Sequence, residues 1–518
     1  MSRKKRRIPP QDAMFLWGET AETMMHVGAL MPFTPPKDAS PTYLRDLVHA
    51  AREMAVAEPF NLKLSHPHLM LHPLQSWVVD EKFDPDFHIR RSALASPGDE
   101  RELGVLVSRL HSHQIDFTRP PWEMHVIEGL QGGRFAVYVK VHHALVDGFT
   151  AVKMLSRSLS TDPDDDKLTL FFSMKPPARP PAPRQSRSLV KMVTGGAKGA
   201  VDVAGAAAGL AKAVVKLELG RGEDHEALKS GRDAPDTMLN RRTSRTRRFA
   251  TQQYQTERFR AIAKASGGTI NDVVMAVCGG GLRRYLSEQD ALPKKPLVAF
   301  MPVNIRAEGD EGGGNKVAVL LASMATDVAD PAERLKAVIT STRKAKKQVS
   351  GMGQLPALAY SGYLLAPGLA QTLAAITGVK NPLPTTFNLV LSNVPGPRKP
   401  LYLKGSRLEA VYPVSIPAHG MALNITLETY ADTLNFGFIG DRDAVPSLQK
   451  LAVYTGEALA ETEAALGLKP KKADLTEPTV TLPATARSGP QGPKQTKKAA
   501  PKKAAPKKAA PKKPAPPS

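Results

Sequence analysis

The sequence predicts an α/β protein of two modules, and three observations carry that prediction. Residues 135–141, Phe-Ala-Val-Tyr-Val-Lys-Val, are mostly β-branched or aromatic and read as a strand. Val152, Leu155 and Leu159 then recur at helical spacing, so strand passes to helix within one short turn. A second mixture of the two periods starts near Arg248, and 518 residues leave room for two or three sizeable cores.

The first module is expected over 1–160, with 135–141 its clearest strand, and the acidic run Asp162 to Asp166 ends it. A connector over 161–247 holds the prolines Pro176, Pro177, Pro180, Pro181 and Pro183, then a Gly/Ala-rich stretch over 189–217 carrying Lys191, Lys198, Lys212 and Lys216. With few large apolar residues that stretch reads equally as a linker helix over the seam or as a helix resting on a lipid surface. The second module is expected over 248–467. Its helix start is Thr269-Ile270-Asn271-Asp272 before Val273, Val274, Val277 and Leu282, and the Thr-x-x-Asp spacing reads as a capping box. Strands are expected over 297–302, 316–321, 386–391 and 423–426. The segment 468–518 loses apolar content, ends in Lys-Lys-Ala-Ala-Pro repeats, and is expected to be a disordered tail.

The net charge of +22 would point to a nucleic-acid partner if it were spread over the fold. It is not. Arg3 to Arg7 contribute five positive charges and the segment from Lys469 a surplus of eleven, which leaves +6 elsewhere. The single cysteine, Cys278, excludes an intrachain disulfide, agrees with a reducing cytoplasm, and sits in an apolar helical pattern as a buried thiol. No apolar run follows the basic N-terminus, as a signal peptide would require. The charge-free segment 354–379 is broken by Pro356, Gly362, Pro367, Gly368 and Gly378, and reads as a buried or interfacial helix pair rather than a membrane span.

The chemistry is expected at His143. Alternation along the strand puts Val137, Val139, Val141 and His143 on one face and Tyr138, Lys140 and His142 on the other. A histidine at the end of an apolar face, with Asp147 and Gly148 beyond it, is placed as a neutral imidazole able to take a proton from a hydroxyl. A buried histidine with satisfied hydrogen bonds is the commoner reading of such a residue. No metal site is expected, because adjacent histidines on a strand point apart and neither Cys-x-x-Cys nor His-Glu-x-x-His is present. No Gly-x-Ser-x-Gly elbow supplies a serine nucleophile, which leaves direct general-base catalysis.

Six segments in order resemble the bacterial wax ester synthase/diacylglycerol acyltransferases, over roughly residues 9–465. They are Pro10 to Trp17 with Met25-His26-Val27-Gly28; Arg119 to Glu123 before Ile127 to Leu130; His142-His143-x-x-x-Asp147-Gly148; Thr269 to Val273; Pro302 to Arg306 with Gly314-Asn315; and Ser392-Asn393-Val394-Pro395-Gly396-Pro397. The basic N-terminus and the Lys/Ala/Pro tail have no counterpart in that pattern. The resemblance implies the CoA-dependent acyltransferase fold, similar to chloramphenicol acetyltransferase and condensation domains: two subdomains with mixed sheets and an active-site tunnel between them.

It further implies transfer of a fatty acyl group from acyl-CoA, as cosubstrate, to a long-chain alcohol or a diacylglycerol, with no bound cofactor and no acyl-enzyme. His143 would be the general base and His142 its support. Asp147 would be a structural anchor paired with Arg306, Gly148 would permit a close backbone turn, and Trp122 would line the acceptor channel. Asn271 and Ser392 are the oxyanion-donor candidates. The expected setting is cytoplasmic, at the inner membrane face or lipid inclusions, with the tail able to bind polyanions. Rival readings are a related acyltransferase acting on an amine or carrier-bound substrate, and a non-enzymatic droplet-coating or nucleic-acid-binding protein.

Overall fold

A computed structural model describes residues 5–174 (except 71 and 73), 234–304, 317–350 and 385–468. In chain order the first strands are β1 (Arg6–Arg7), β2 (His26–Thr34), β3 (Leu62–Leu64), β4 (Ser76–Val79), β5 (Ile89–Ala93), β6 (Trp122–Leu130) and β7 (Arg134–His142). The later ones are β8 (Arg247–Gln255), β9 (Val298–Asn304), β10 (Val317–Ser323), β11 (Leu389–Val394), β12 (Tyr402–Leu403), β13 (Ser406–Leu408), β14 (Tyr412–Val414), β15 (Leu423–Tyr430) and β16 (Thr433–Asp441). The helices are α1 (Pro10–Trp17), α2 (Tyr43–Glu53), α3 (Pro85–His88), α4 (Glu100–His111), α5 (Gly148–Arg157), α6 (Thr256–Ser266), α7 (Ile270–Glu288), α8 (Pro331–Ser350) and α9 (Leu448–Ala465).

Two mixed sheets dominate. One runs β12-β13-β2-β7-β6-β5 with β14 also on β2, and the other runs β10-β9-β11-β15-β16-β8. The β5–β6, β9–β11 and β11–β15 pairs are parallel, and the remaining pairs are antiparallel. A small third sheet, β1-β4-β3, packs with α1 around Leu16, Leu64, Trp77 and Phe117. Strands β12 to β14 come late in the chain yet complete the first sheet, so each large sheet draws on the later residues.

Strand β7 shows why the first sheet forms. Its odd side chains, Phe135, Val137, Val139 and Val141, enter one core with Phe60 and Trp122. Its even side chains, Ala136 and Tyr138, enter another against Leu103 and Val107 of α4. Both faces are buried, and apolar burial of that kind is worth about 25 cal/mol per Å². In the second sheet Leu423, Ile425 and Leu427 of β15 pack with α7 and α9. The helix α7 starts as its residues predict: Thr269 Oγ1 accepts from the Asp272 backbone and Asp272 accepts from the Thr269 backbone. Asp272 also accepts from Thr342 Oγ1 of α8 at 2.6 Å. Cys278 is fully buried there, and burial pushes its thiol up to about 12.

The expected strand 386–391 is shifted to Leu389–Val394, because Asn388 is occupied beforehand, accepting from the Val298 backbone and donating to Pro235 and Asn240. The expected strand 423–426 runs on to Tyr430, since β16 pairs with it over that whole length. The two sheets approach closely at one point. A Cβ on Gly437 of β16 would lie 1.8 Å from the Pro413 carbonyl of β14, so only glycine fits between them. Among the described residues no helix is long and apolar enough to cross a membrane. The expectations for 189–217, 354–379, Arg306 and the tail lie outside the described residues.

Candidate active site

The histidine pair sits where β7 leaves its sheet. His142 pairs with His26, the first residue of β2, so the ladder ends there and His143 lies in the turn beyond it rather than on the strand. That turn is pinned by two backbone bonds, His142 N–H to Pro121 O and His143 N–H to Met25 O, both 2.9 Å. Asp147 then caps α5, accepting from the Thr150 backbone at 2.8 Å and from the Thr150 hydroxyl at 2.9 Å. Gly148 is the first residue of that helix. The close backbone turn expected at Gly148 is absent, since a Cβ there would meet nothing within 4 Å. Its missing side chain leaves open space in the wall of a cleft.

His142 is fully buried and held from three sides. Its Nδ1 accepts the Ala144 backbone N–H at 3.2 Å, which places the ring proton on Nε2, 3.5 Å from the Glu19 carboxylate. Phe117 meets the ring edge-on at 5.0 Å. Glu19 is itself fixed by the Met25 backbone at 2.5 Å and by Gln114 at 2.8 Å. These contacts hold the His142 ring against the turn. Sequence reading missed Glu19, which stands too far along the chain for any spacing rule to connect it with His142.

The His143 ring stacks on Phe15 of α1, with centroids 3.9 Å apart and planes 21° apart. Its Nδ1 is buried without a hydrogen-bond partner. Burial holds its pKa down to about 4, against a smaller upward pull from the Asp147 charge. The imidazole is therefore the free base at neutral pH.

An apolar cleft lies beside this turn, with about 690 Å³ of empty space including its open mouth. Val141, Val146 and Gly148 form part of its wall on either side of His143, and Ala151 and Leu155 of α5 continue it. Val394 of β11 and Thr426 of β15 also line it, so the cleft reaches from the first sheet to the second. Thr426 and Ser415, its polar exceptions, bond each other at 2.8 Å.

The remaining predicted residues separate. Trp122 is fully buried, stacked on Phe172 at 5.1 Å and donating from Nε1 to the Phe60 carbonyl at 2.7 Å, so it belongs to the core and not to the cleft wall. Asn271 accepts from Asn393 Nδ2 at 2.6 Å, which leaves its own amide N–H₂ to donate elsewhere. Ser392 is paired across the sheet with Thr426. Alternation on β11 thus puts Ser392 on the face of the cleft-lining Val394, and Asn393 with Asn271 on the other.

Residues 8–274 match the family model of the wax ester synthase/diacylglycerol acyltransferase catalytic domain, and residues 313–463 match that of the WS/DGAT C-terminal domain. A Mycobacterium tuberculosis protein named as a diacylglycerol O-acyltransferase is 54% identical over 491 residues, covering 90% of this chain and 99% of its own. The O-acyltransferase WSD of Acinetobacter baylyi is 38% identical over 456 residues, covering 88% and 96%. The solved wax ester synthase/diacylglycerol acyltransferase of Marinobacter aquaeolei VT8 superposes with a TM-score of 0.69 at 38% identity, covering 89% of this chain and all of that one. The first condensation domain of the calcium-dependent antibiotic synthetase, 16% identical with a TM-score of 0.53 over 90% and 97%, shares the fold.

Proposed function

Because the chain belongs to the wax ester synthase/diacylglycerol acyltransferase family, we propose that its cleft brings a fatty acyl-CoA and a lipid hydroxyl together at His143. The protein is an O-acyltransferase that acts on a long-chain alcohol or a diacylglycerol. One observation carries the siting of the reaction: a neutral imidazole stands in the turn between Val141 and Gly148, and both of these wall an apolar cleft that spans the two sheets.

The acceptor oxygen attacks the thioester carbonyl while His143 takes its proton. The resulting oxyanion collapses, the C–S bond breaks, and the imidazolium returns the proton to the departing thiolate. No acyl-enzyme forms. Asn271 or Ser392 donates to the oxyanion; they approach from opposite faces of β11, so a single oxygen is served by one of them. Asp147 acts on the base indirectly, by capping α5 and by its charge.

Incubating the protein with one labelled acyl-CoA and both hexadecanol and dioleoylglycerol is expected to yield labelled ester with stoichiometric CoA release. Label transferred only to an amine or a carrier protein would overturn the reading.

We also place the enzyme at a lipid surface. Met14 and Trp17 of α1 are 43% and 52% exposed, and Leu69 and Leu74 are 59% and 75% exposed. The same helix carries Phe15 against His143. The basic N-terminus, with Arg6 and Arg7 in β1, and the lysine-rich segment beyond Leu468 add attraction to anionic headgroups. Trp17→Ser with Met14→Ser is expected to lower flotation with anionic vesicles several-fold while sparing turnover on a detergent-dispersed acceptor. Unchanged flotation would remove this surface from the account.

A further inference from the structure

The second sheet turns a polar stripe toward the cleft. Along β15, Leu423, Ile425 and Leu427 face the core, and Asn424, Thr426 and Glu428 face the other way, all three buried. Two of them are satisfied: Thr426 donates to Asn424 Oδ1 at 2.8 Å, and Asn424 donates to the Ile416 carbonyl at 3.4 Å. Glu428 differs. It is 2% exposed, and its carboxyl makes no hydrogen bond or ion pair with any described residue. Burial alone pushes its pKa up to about 8, with no charge countering it, so at neutral pH it is a carboxylic acid with a proton to donate.

Its position is tied to the cleft by register. Glu428 lies beside Val394 across the β11–β15 pair and one same-face step from Thr426, and both of those line the cleft. Gly396 packs directly against it: a Cβ there would fall 2.3 Å from the Thr429 carbonyl, 2.7 Å from Glu428 Oε1 and 2.9 Å from its Cγ. An apolar cleft for lipid chains gains nothing from an acid at its edge that has no partner among the described residues and whose burial costs stability. A ligand with an acceptor oxygen away from its reacting hydroxyl would use it.

We propose that Glu428 is an acceptor-specificity residue, donating a hydrogen bond from its neutral carboxyl to an ester carbonyl of a diacylglycerol, a group that a fatty alcohol lacks. The inference rests on the acyl-transfer reading above. A neutral acid in an apolar site serves as a hydrogen-bond donor in other enzymes, and a site built to bond a polar group discriminates against analogues without it.

The test uses the full-length enzyme with one acyl-CoA and measures kcat and KM separately for dioleoylglycerol and hexadecanol. Glu428→Leu is expected to raise KM for dioleoylglycerol about tenfold and to leave hexadecanol within about twofold. Glu428→Gln, neutral and still a donor, is expected to keep most of the dioleoylglycerol activity. Glu428→Met, with an unbranched chain of similar length, repeats the comparison should the leucine variant fail to fold. Equal losses on both acceptors, no loss on dioleoylglycerol, or a glutamine variant as poor as leucine would each overturn the proposal. Failure of the unaltered enzyme to acylate either acceptor would instead refute acyl transfer, and the inference with it.

Discussion

His143→Ala is expected to cut CoA release with either acceptor by about 10²- to 10⁴-fold, the usual contribution of a positioned general base. The fold should survive. The backbone bond from residue 143 to Met25 needs no side chain, and the substitution removes a ring nitrogen that is buried without a partner. Circular dichroism and the melting temperature should therefore stay close to those of the unaltered protein. His142→Ala should show the reverse balance, a smaller loss of rate with a larger loss of stability, because it deprives Ala144 of its acceptor and Glu19 and Phe117 of their neighbour. Near-normal turnover by the His143 variant would reject this residue as the base. The pH profile gives a second reading: with its pKa near 4, His143 stays unprotonated down to mildly acidic pH, so the base itself does not set an acid limb near 6.5.

The protein should nonetheless lose stability steeply between pH 6.5 and 4. His26, His88, His111, His125, His143 and His419 are all held below the ordinary value of 6.5, each chiefly by burial, with His88 and His143 down to about 4. The unfolded chain restores values near 6.5 and takes up protons that the folded state refuses. Stability is thus full above about pH 6.5 and falls as pH drops toward the folded values. At 1.36 kcal/mol per unit, His88 and His143 alone lose roughly 4 kcal/mol together at pH 5, against a typical net stability of about 5–15 kcal/mol.

Glu428 acts in the opposite sense. Raised to about 8, it contributes stability that is full below about 4.5 and lost as pH rises, and it returns roughly 2 to 3 kcal/mol on going from pH 7 to 5. Four further histidines, each also held below its ordinary value by burial, add to the loss, so a net fall in stability is expected over that interval. Urea unfolding at pH 7, 6 and 5 measures it. A midpoint that holds steady or rises would contradict the assignment of these rings as buried and neutral. His143→Ala should flatten the dependence by about one proton, which links the two experiments.

Local chemistry explains which parts were legible in the residues. The strand ending at His142 is visible because valines alternate up to it at 137, 139 and 141 among aromatic residues, and the start of α7 because a capping box needs only residues three apart. Strand β6 is less visible, since Glu123 and His125 interrupt its apolar run and are paired only in the fold, where Glu123 lies 3.5 Å from Lys140 and 3.3 Å from His125. Trp122, expected to line the acceptor channel, lies in the core instead, because a large aromatic suits either setting and only its neighbours decide.

By itself the sequence determined the α/β class, the family, the strand that runs up to the histidine pair and the cap that opens α7. Each of these depends on residues within a few positions of one another or on a pattern of short motifs. The cleft, the placing of Asn271 and Ser392 on opposite faces of β11, and the burial of Glu428 without a partner among the described residues were decided by tertiary structure alone. They arise where 27–29, 139–155, 394–396 and 413–428 converge. Whether a side chain meets water, a partner or a void is a property of the elements packed around it, and no local spacing in the chain encodes that.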